Sequence, residues 1–167
     1  MQLARPQVGF VLFEALMALL ILTVGVLGLL WMHQHALVLQ RQQLMRSVAM
    51  GIAQDLSERM HMNPQSPTLY AKPWGNSHEA ASVDCTAKPC NRVDLAKWDL
   101  QQLRQALQTQ LPDGDAAVFA LSESPEWWGV VVAWRDANET YRTDTTTNAA
   151  PCPAQMSCWR LFFKPTR

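Results

Sequence analysis

An α+β fold is what this sequence predicts: a long N-terminal membrane-spanning α-helix packed on a small antiparallel β-sheet domain. Three observations carry that expectation. Residues 10–32 form an apolar run in which Glu14 and Thr23 are the only polar side chains, residues 33–63 continue amphipathically without a proline, and three short strand-like stretches, one of them rich in Val and Trp, follow late in the chain. The expected organisation is a leader over residues 1–9, one long helix over 10–63 with its membrane span at 10–32 and its amphipathic half at 33–63, and a globular domain over 64–167.

The leader carries one basic residue, Arg5, and no acid. It has no apolar segment of its own, because Val8 runs into the stretch beyond, whereas an ordinary secretory signal places its cleavage site after the apolar segment. At about 1.5 Å per residue, positions 10–32 reach roughly 35 Å, enough to cross a bilayer core. Arg5 on the short side favours a cytoplasmic N-terminus, with the long polar remainder across the membrane. Glu14 is the physical problem in this span: an acid in hydrocarbon costs roughly 2 to 3 kcal/mol and calls for a partner. A cut between Gly9 and Phe10 would place a new α-amino group one helical turn before Glu14, where groups share a face. That amine, from the same chain or a neighbouring copy, would neutralise the carboxylate. Gly25 and Gly28 are the weak points of the span, each costing about 1 kcal/mol relative to Ala.

Beyond the span, Leu37, Leu44, Val48, Ile52, Leu56 and Met60 recur mostly at four-residue steps among Arg41, Gln42, Gln43, Gln54, Asp55 and Glu58. That pattern continues the helix and lays its second half on a soluble domain. Pro64, Pro67, Pro73, Gly75 and Asn76 end it and make residues 63–84 a loop region, with Leu69, Tyr70 and Trp74 pinned to the domain. A second amphipathic helix is expected over about 93–111, with Leu95, Leu103, Leu107 and Leu111 on or near one face and Trp98 and Leu100 flanking. The turn Leu111-Pro112-Asp113-Gly114 closes it. Strands are expected at 116–121, at 127–135 as a half-buried strand, and at 157–164. Short polar connections favour antiparallel pairing, and a domain of roughly a hundred residues holds one modest core.

Cys85, Cys90, Cys152 and Cys158 all follow the apolar span, and an even count in a small exported domain reads as two disulfides. Of the three possible pairings, Cys85 with Cys90 and Cys152 with Cys158 are favoured, since each closes a small loop in a stretch with little other regular structure. Neither pair has the two-residue gap of a zinc knuckle or a thioredoxin-type motif. His33, His35 and His61 fall on the long helix as interfacial or exposed residues without thiol or carboxylate company, so no metal is expected, and no cofactor. Fourteen basic and fourteen acidic residues cancel, with no basic stripe of the kind that contacts phosphates, so direct nucleic-acid contact is not expected. Of the seven tryptophans, Trp127, Trp128, Trp134 and Trp159 are expected to fill the sheet's core or an interface. No nucleophile elbow, phosphate-cradling loop or His-Glu-x-x-His occurs, and His78 has only Glu79 beside it. An enzyme is not expected.

The segment Gly9-Phe10-Val11-Leu12-Phe13-Glu14 after a short basic leader resembles the class III, or prepilin, signal of type IV pilins and type II secretion pseudopilins. The resemblance implies cleavage after Gly9 by prepilin peptidase, N-methylation of Phe10, and a role for Glu14, the fifth mature residue, in pairing with the N-terminal amine of an adjacent subunit during assembly. Major pilins often carry a proline along this helix; here Trp31 stands in a stretch with none. The soluble half, through Asp55-Leu56-Ser57-Glu58-Arg59-Met60, Asn63, Tyr70, the Cys85–Cys90 loop, Ala96-Lys97-Trp98-Asp99-Leu100, Leu111-Pro112-Asp113-Gly114 and Val131-Val132-Ala133-Trp134, is similar to the PilV-type minor pilins. That similarity implies a type IV pilin-like fold, residence in the inner membrane as a single-pass chain with a periplasmic domain, and assembly with other minor and major pilins through the inner-membrane pilus machinery. It also implies contributions to priming or tip properties that bear on motility and adhesion. A type II secretion pseudopilin shares the anchor, and a signal-anchored periplasmic binding module is the alternative of another class, distinguished by an uncut Gly9.

Overall fold

The computed structural model of the chain describes residues 8–75, 83–136 and 150–165, with side chains described from residue 11. Most of the expected leader therefore lies outside the described residues, as do His78 and Glu79. The chain divides into two units, Met1–Gln42 and Gln43–Arg167.

The first unit is helical as far as it is described, being the N-terminal part of a single helix, α1, Val8–Met62. Leucine, isoleucine, valine and methionine occur on all sides of this part, and every side chain at positions 11–40 is exposed. The most apolar 18-residue window of α1 has a mean hydropathy of 2.5 with none of it buried. Thr23 sits in this run with its hydroxyl donating to the Leu20 carbonyl at 2.8 Å, so its polar group is satisfied within the helix.

The second unit contains the remainder of α1, a 3₁₀ turn at Pro67–Tyr70, a helix α2 at Arg92–Gln110, and strands β1 (Asp115–Ala120), β2 (Trp128–Trp134) and β3 (Ser157–Phe163). Both pairings are antiparallel and the sheet order is β1-β2-β3. The fold class is the expected α+β arrangement, with the end of α1 laid on a three-stranded antiparallel sheet. From α1 the buried apolar residues are Ala49, Ile52, Ala53, Leu56 and Met60, with Met45 and Val48 partly buried against them. Leu37 and Leu44, expected on this face, are instead 52% and 60% exposed. Leu37 belongs to the first unit, where every side chain described up to position 40 is exposed; Leu44 lies off the face because a four-residue step advances about 400°, so a run of fours drifts some 40° per step. Alternating steps through Ala49 and Ala53 hold it, and those small side chains also leave room for close packing.

Helix α2 starts where Asn91 caps it, its Oδ1 accepting from the backbone N–H groups of Val93 (3.0 Å) and Asp94 (2.9 Å). Its buried face is Ala96, Leu100, Leu103 and Leu107, continued by Leu111. Leu100 thus belongs to the face rather than flanking it, and Leu95 is only half-buried, because the steps of four, three, four and four from Ala96 track the 3.6-residue period. The helix ends tightly. A Cβ on Gly114 would stand 2.6 Å from the Leu107 carbonyl oxygen, so only glycine allows the chain to turn back this closely.

Strand β2 was expected to be half-buried, yet all seven of its residues are buried. It is the central strand and nearly all apolar, the pattern of a strand covered on both faces. Val130, Val132, Trp128 and Trp134 point with Ala116 and Val118 into the core shared with α1 and α2. On the other face, Gly129 pairs with Phe119 on one side and Phe162 on the other. A Cβ there would lie 2.6 Å from Phe119 Cζ and 3.0 Å from Phe162 Cε1, so the glycine makes room for two cross-strand rings. Trp127 is 42% exposed and outside the core, and Trp159 lies on β3 beneath the Arg46 guanidinium, 5.0 Å from its carbon to the ring centroid.

Candidate functional site

The residues singled out in the sequence occupy different regions, and each is placed by its own local physics. Gly9 and Phe10 lie in the first turns of α1, where the backbone is helical. Glu14 follows one turn later with an exposed side chain and no ion-pair partner among the described residues. It is flanked by Phe13, 62% exposed, and Leu16, 59% exposed, so this carboxylate stands on an apolar helix surface.

The cysteines form two local disulfides, Cys85–Cys90 with Cα atoms 5.4 Å apart and Cys152–Cys158 with Cα atoms 6.1 Å apart. The first closes a loop organised from within: Asp84 Oδ1 accepts from the Thr86 N–H at 2.8 Å and its hydroxyl at 2.6 Å. Those bonds, the hydroxyl's first, hold the exposed Asp84 carboxyl below its ordinary range. The loop ends one residue before the Asn91 cap, so it delivers the chain to the start of α2. The second leads the chain into β3, where Cys158 stands opposite Ala133.

A buried polar cluster that the sequence reading passed over joins three elements of the second unit. Asp99 on α2 is 3% exposed; its Oδ2 accepts from the Tyr70 hydroxyl at 2.7 Å and its Oδ1 from Arg59 Nη1 at 3.1 Å. Arg59 Nε also donates to Asp55 Oδ2 at 2.8 Å, one turn back on α1. Asn63, at the end of α1, donates to the Arg92 carbonyl at 3.0 Å and to the Tyr70 oxygen at 3.4 Å. Burial, reinforced by the Asp99 acceptor, pushes the Tyr70 hydroxyl well above its ordinary value of 10.0. Asp55 first, then Asp99, holds the Arg59 guanidinium above its ordinary range against the opposing effect of burial. Each polar group here has a partner, which is what keeps a buried carboxylate and tyrosine affordable. The cluster is a clasp between helices.

A second clasp ties the segment after the 3₁₀ turn to β1. Lys72 and Val118 exchange backbone hydrogen bonds, both at 2.8 Å. The Lys72 ammonium, on a side chain only 6% exposed, donates to Asp115 Oδ1 at 2.8 Å and to the Ala116 carbonyl at 2.7 Å. Asp115 also accepts from the Gly75 N–H at 2.7 Å. Burial raises the Asp115 carboxyl, but the donors of Lys72, Gly75 and Ala116 together outweigh it and hold the group below 3.8. Beside this segment runs an open groove of about 870 Å³ lined by Trp74, Phe119, Leu121, Glu123 and Phe162.

The histidines are apart from one another. His35 stacks on Trp31 with ring centroids 5.9 Å apart, and His61 lies against Phe163 with its Nδ1 2.6 Å from the Ser57 carbonyl oxygen. Among the described residues no group of three or more His, Cys, Asp or Glu side chains is arranged to hold a metal ion. Neither clasp had a periodic signal. The one hint was composition out of place: an aspartate inside the apolar face of α2 and a tyrosine between prolines.

Residues 32–101 match the family model of the Tt1218-like type IV pilins, described as Type IV pilin Tt1218. No curated protein and no solved structure gives a significant match. The matched segment begins at Met32, so Gly9, Phe10 and Glu14 precede it, while Asp55, Arg59, Asn63, Tyr70 and Asp99 all fall inside it. The match supports a type IV pilin, and the long apolar helix on a small antiparallel sheet agrees with a type IV pilin-like fold. Such a family is structural and associates with other pilins and the pilus machinery. The length and composition of α1 fit the membrane anchor of a pilin.

Proposed function

We propose that this chain is a minor pilin of a type IV pilus, of the PilV type. It sits in the inner membrane as a single-pass protein with its N-terminus in the cytoplasm and its globular domain in the periplasm. Prepilin peptidase cuts between Gly9 and Phe10, Phe10 is N-methylated, and the subunit joins other minor and major pilins through the inner-membrane assembly machinery. The observation that carries this reading is α1. One helix changes from exposed apolar side chains on every side at positions 11–40 to a buried stripe at Ala49, Ile52, Ala53, Leu56 and Met60. A subunit that moves from lipid into a fibre core while keeping a folded periplasmic domain needs this division. The pilin match over residues 32–101 supports the same reading.

Glu14 would be neutralised by the amine of Phe10, from its own chain while in the membrane and from a neighbour in the fibre. Burial of that carboxylate in an apolar fibre core is favourable only when paired, which makes the pair a test of correct subunit register. Type IV pilus priming or tip properties, with effects on motility and adhesion, are the expected output.

Intact and N-terminal peptide mass spectrometry on the membrane fraction of the native host tests the reading. The expected result is a mature chain beginning at N-methylated Phe10. An uncut chain beginning at Met1 would instead identify a signal-anchored binding module. Glu14→Ala is expected to leave the cut largely intact while lowering recovery of the subunit in purified pilus fractions; equal recovery with the parent would remove Glu14 from assembly. Deletion should abolish piliation or twitching and leave enzyme secretion unchanged, whereas the reverse would indicate a type II secretion pseudopilin.

A further inference from the structure

Trp31 stands at the point where α1 changes solvent. Before it, positions 11–30 offer only Glu14 and Thr23 as polar side chains; after Met32 come His33, Gln34 and His35, then Gln40, Arg41, Gln42 and Gln43. The Trp31 indole is 72% exposed and stacks on His35 one helical turn later, with ring centroids 5.9 Å apart and planes within 8° of parallel. An indole has a large apolar body and one N–H donor, a combination that settles at the boundary between acyl chains and headgroups. Stacking on the imidazole restricts its rotation and aligns it with a polar ring on the headgroup side.

We infer that the Trp31–His35 pair seats α1 at the phospholipid headgroup boundary and so fixes the depth of Glu14 at the other end of the span. The inference rests on the membrane-anchored reading above and adds a register to it. Seventeen residues separate Glu14 from Trp31, which is about 26 Å along a helix. Against a hydrocarbon core of about 30 Å, Trp31 at one boundary leaves Glu14 about 4 Å inside the other, within reach of interfacial water for a flexible carboxylate side chain. Sliding the helix by one turn toward the Trp31 side would carry Glu14 some 5 Å deeper, where an unpaired acid is far less tolerable. An anchor at Trp31 therefore works against that slide and keeps Glu14 near the cytoplasmic surface. Apolar side chains alone would not set this register, since leucine is equally content at any depth.

The test uses the full chain in vesicles of phosphatidylcholine and phosphatidylglycerol whose acyl chains carry bromine either just below the headgroup or near the terminal methyl. Subtracting the emission of Trp31→Phe from that of the parent isolates Trp31 from the other tryptophans. The expected result is a greater loss of Trp31 emission to the shallow bromines. Leu27→Trp in the Trp31→Phe background places an indole one turn earlier and should reverse the preference. His35→Ala should weaken the shallow preference of Trp31; an unchanged ratio would remove His35 from the anchor. Equal or greater loss to the deep bromines, in protein that floats with the vesicles, would overturn the inference while leaving the membrane reading standing. Failure to float at all would overturn both.

Discussion

Leu20 and Leu56 lie on the same helix, the first 55% exposed and the second 1% exposed. The contrast between their two stretches of α1 shows how one secondary structure can suit two solvents. In the first, apolar residues surround the helix, so no rotation about its axis can hide them behind a neighbouring element; a helix apolar on all sides needs an apolar environment on all sides. In the second, Ala49, Ile52, Ala53, Leu56 and Met60 form one stripe with Gln54, Asp55 and Glu58 turned away from it. The stretches differ both in their share of apolar residues and in how those residues are arranged around the axis.

The largest expected effect divides the two stretches directly. Leu56→Ala removes a fully buried side chain from the core that α1 shares with the sheet and should cost about 2 to 5 kcal/mol of domain stability. Leu20→Ala deletes the same atoms from an exposed position and should leave that stability unchanged. Denaturant unfolding of the detergent-solubilised full chain, followed by the emission of the buried Trp128 and Trp134, measures both. Equal shifts in midpoint for the two variants would break the comparison.

The helix clasp sharpens it, because polar chemistry as well as apolar packing marks the second stretch. Asp99→Asn should destabilise by about 1 to 3 kcal/mol, since Arg59 loses a charged acceptor and the Tyr70 hydroxyl a strong one. Combined with Tyr70→Phe, the loss should be less than the sum of the single losses, as for groups in one network. Additive losses would show that the two residues act separately. Tyr70 also sets an alkaline signature. Its ionisation is raised above 10.0 on folding, so its contribution is present below pH 10 and is lost as pH rises beyond that point. Tyr70→Phe should flatten that limb.

Much of the fold was legible because its signals are local. An apolar run, a four-residue recurrence and a Val- and Trp-rich segment each declare themselves within a dozen residues, and they led to the helix-on-sheet arrangement. The errors came where a local signal was read too strictly. Leu44 fits the four-residue step but lies off the face it implies, and Leu37 precedes the packed part of the helix, while Ala49 and Ala53, small and chemically quiet, give no such signal although both are fully buried. Strand β2 reads as half-buried from its own residues because the neighbours that cover both its faces come from elsewhere in the chain. The two clasps were invisible for a stronger reason: Arg59 meets Asp99 across 40 residues and Lys72 meets Asp115 across 43. No periodicity links such pairs. The prepilin-like segment at Gly9, Phe10 and Glu14, in contrast, is readable from its residue order and gains nothing from the tertiary structure.

The smallest expected effect concerns the clasp that holds the segment after the 3₁₀ turn. Asp115 has a folded carboxyl held below its ordinary 3.8 by Lys72, Gly75 and Ala116 acting against burial. A group depressed on folding binds protons more readily in the unfolded chain, so the stability it contributes is fully present above that ordinary value. It is lost as pH falls below about 4 and on through the folded value. Asp84 is also depressed, but its donors lie within its own loop. Asp115→Asn therefore isolates the clasp: it should flatten the acid limb of domain stability below about pH 4 while leaving the part contributed by Asp84. Thermal unfolding at a series of pH values reads this out. The buried Lys72 adds a check of sign, because Lys72→Met removes the charge that depresses Asp115 and should flatten the same limb. An acid limb equally steep in both variants and the parent would mean that the Lys72–Asp115 contact contributes nothing to the pH dependence.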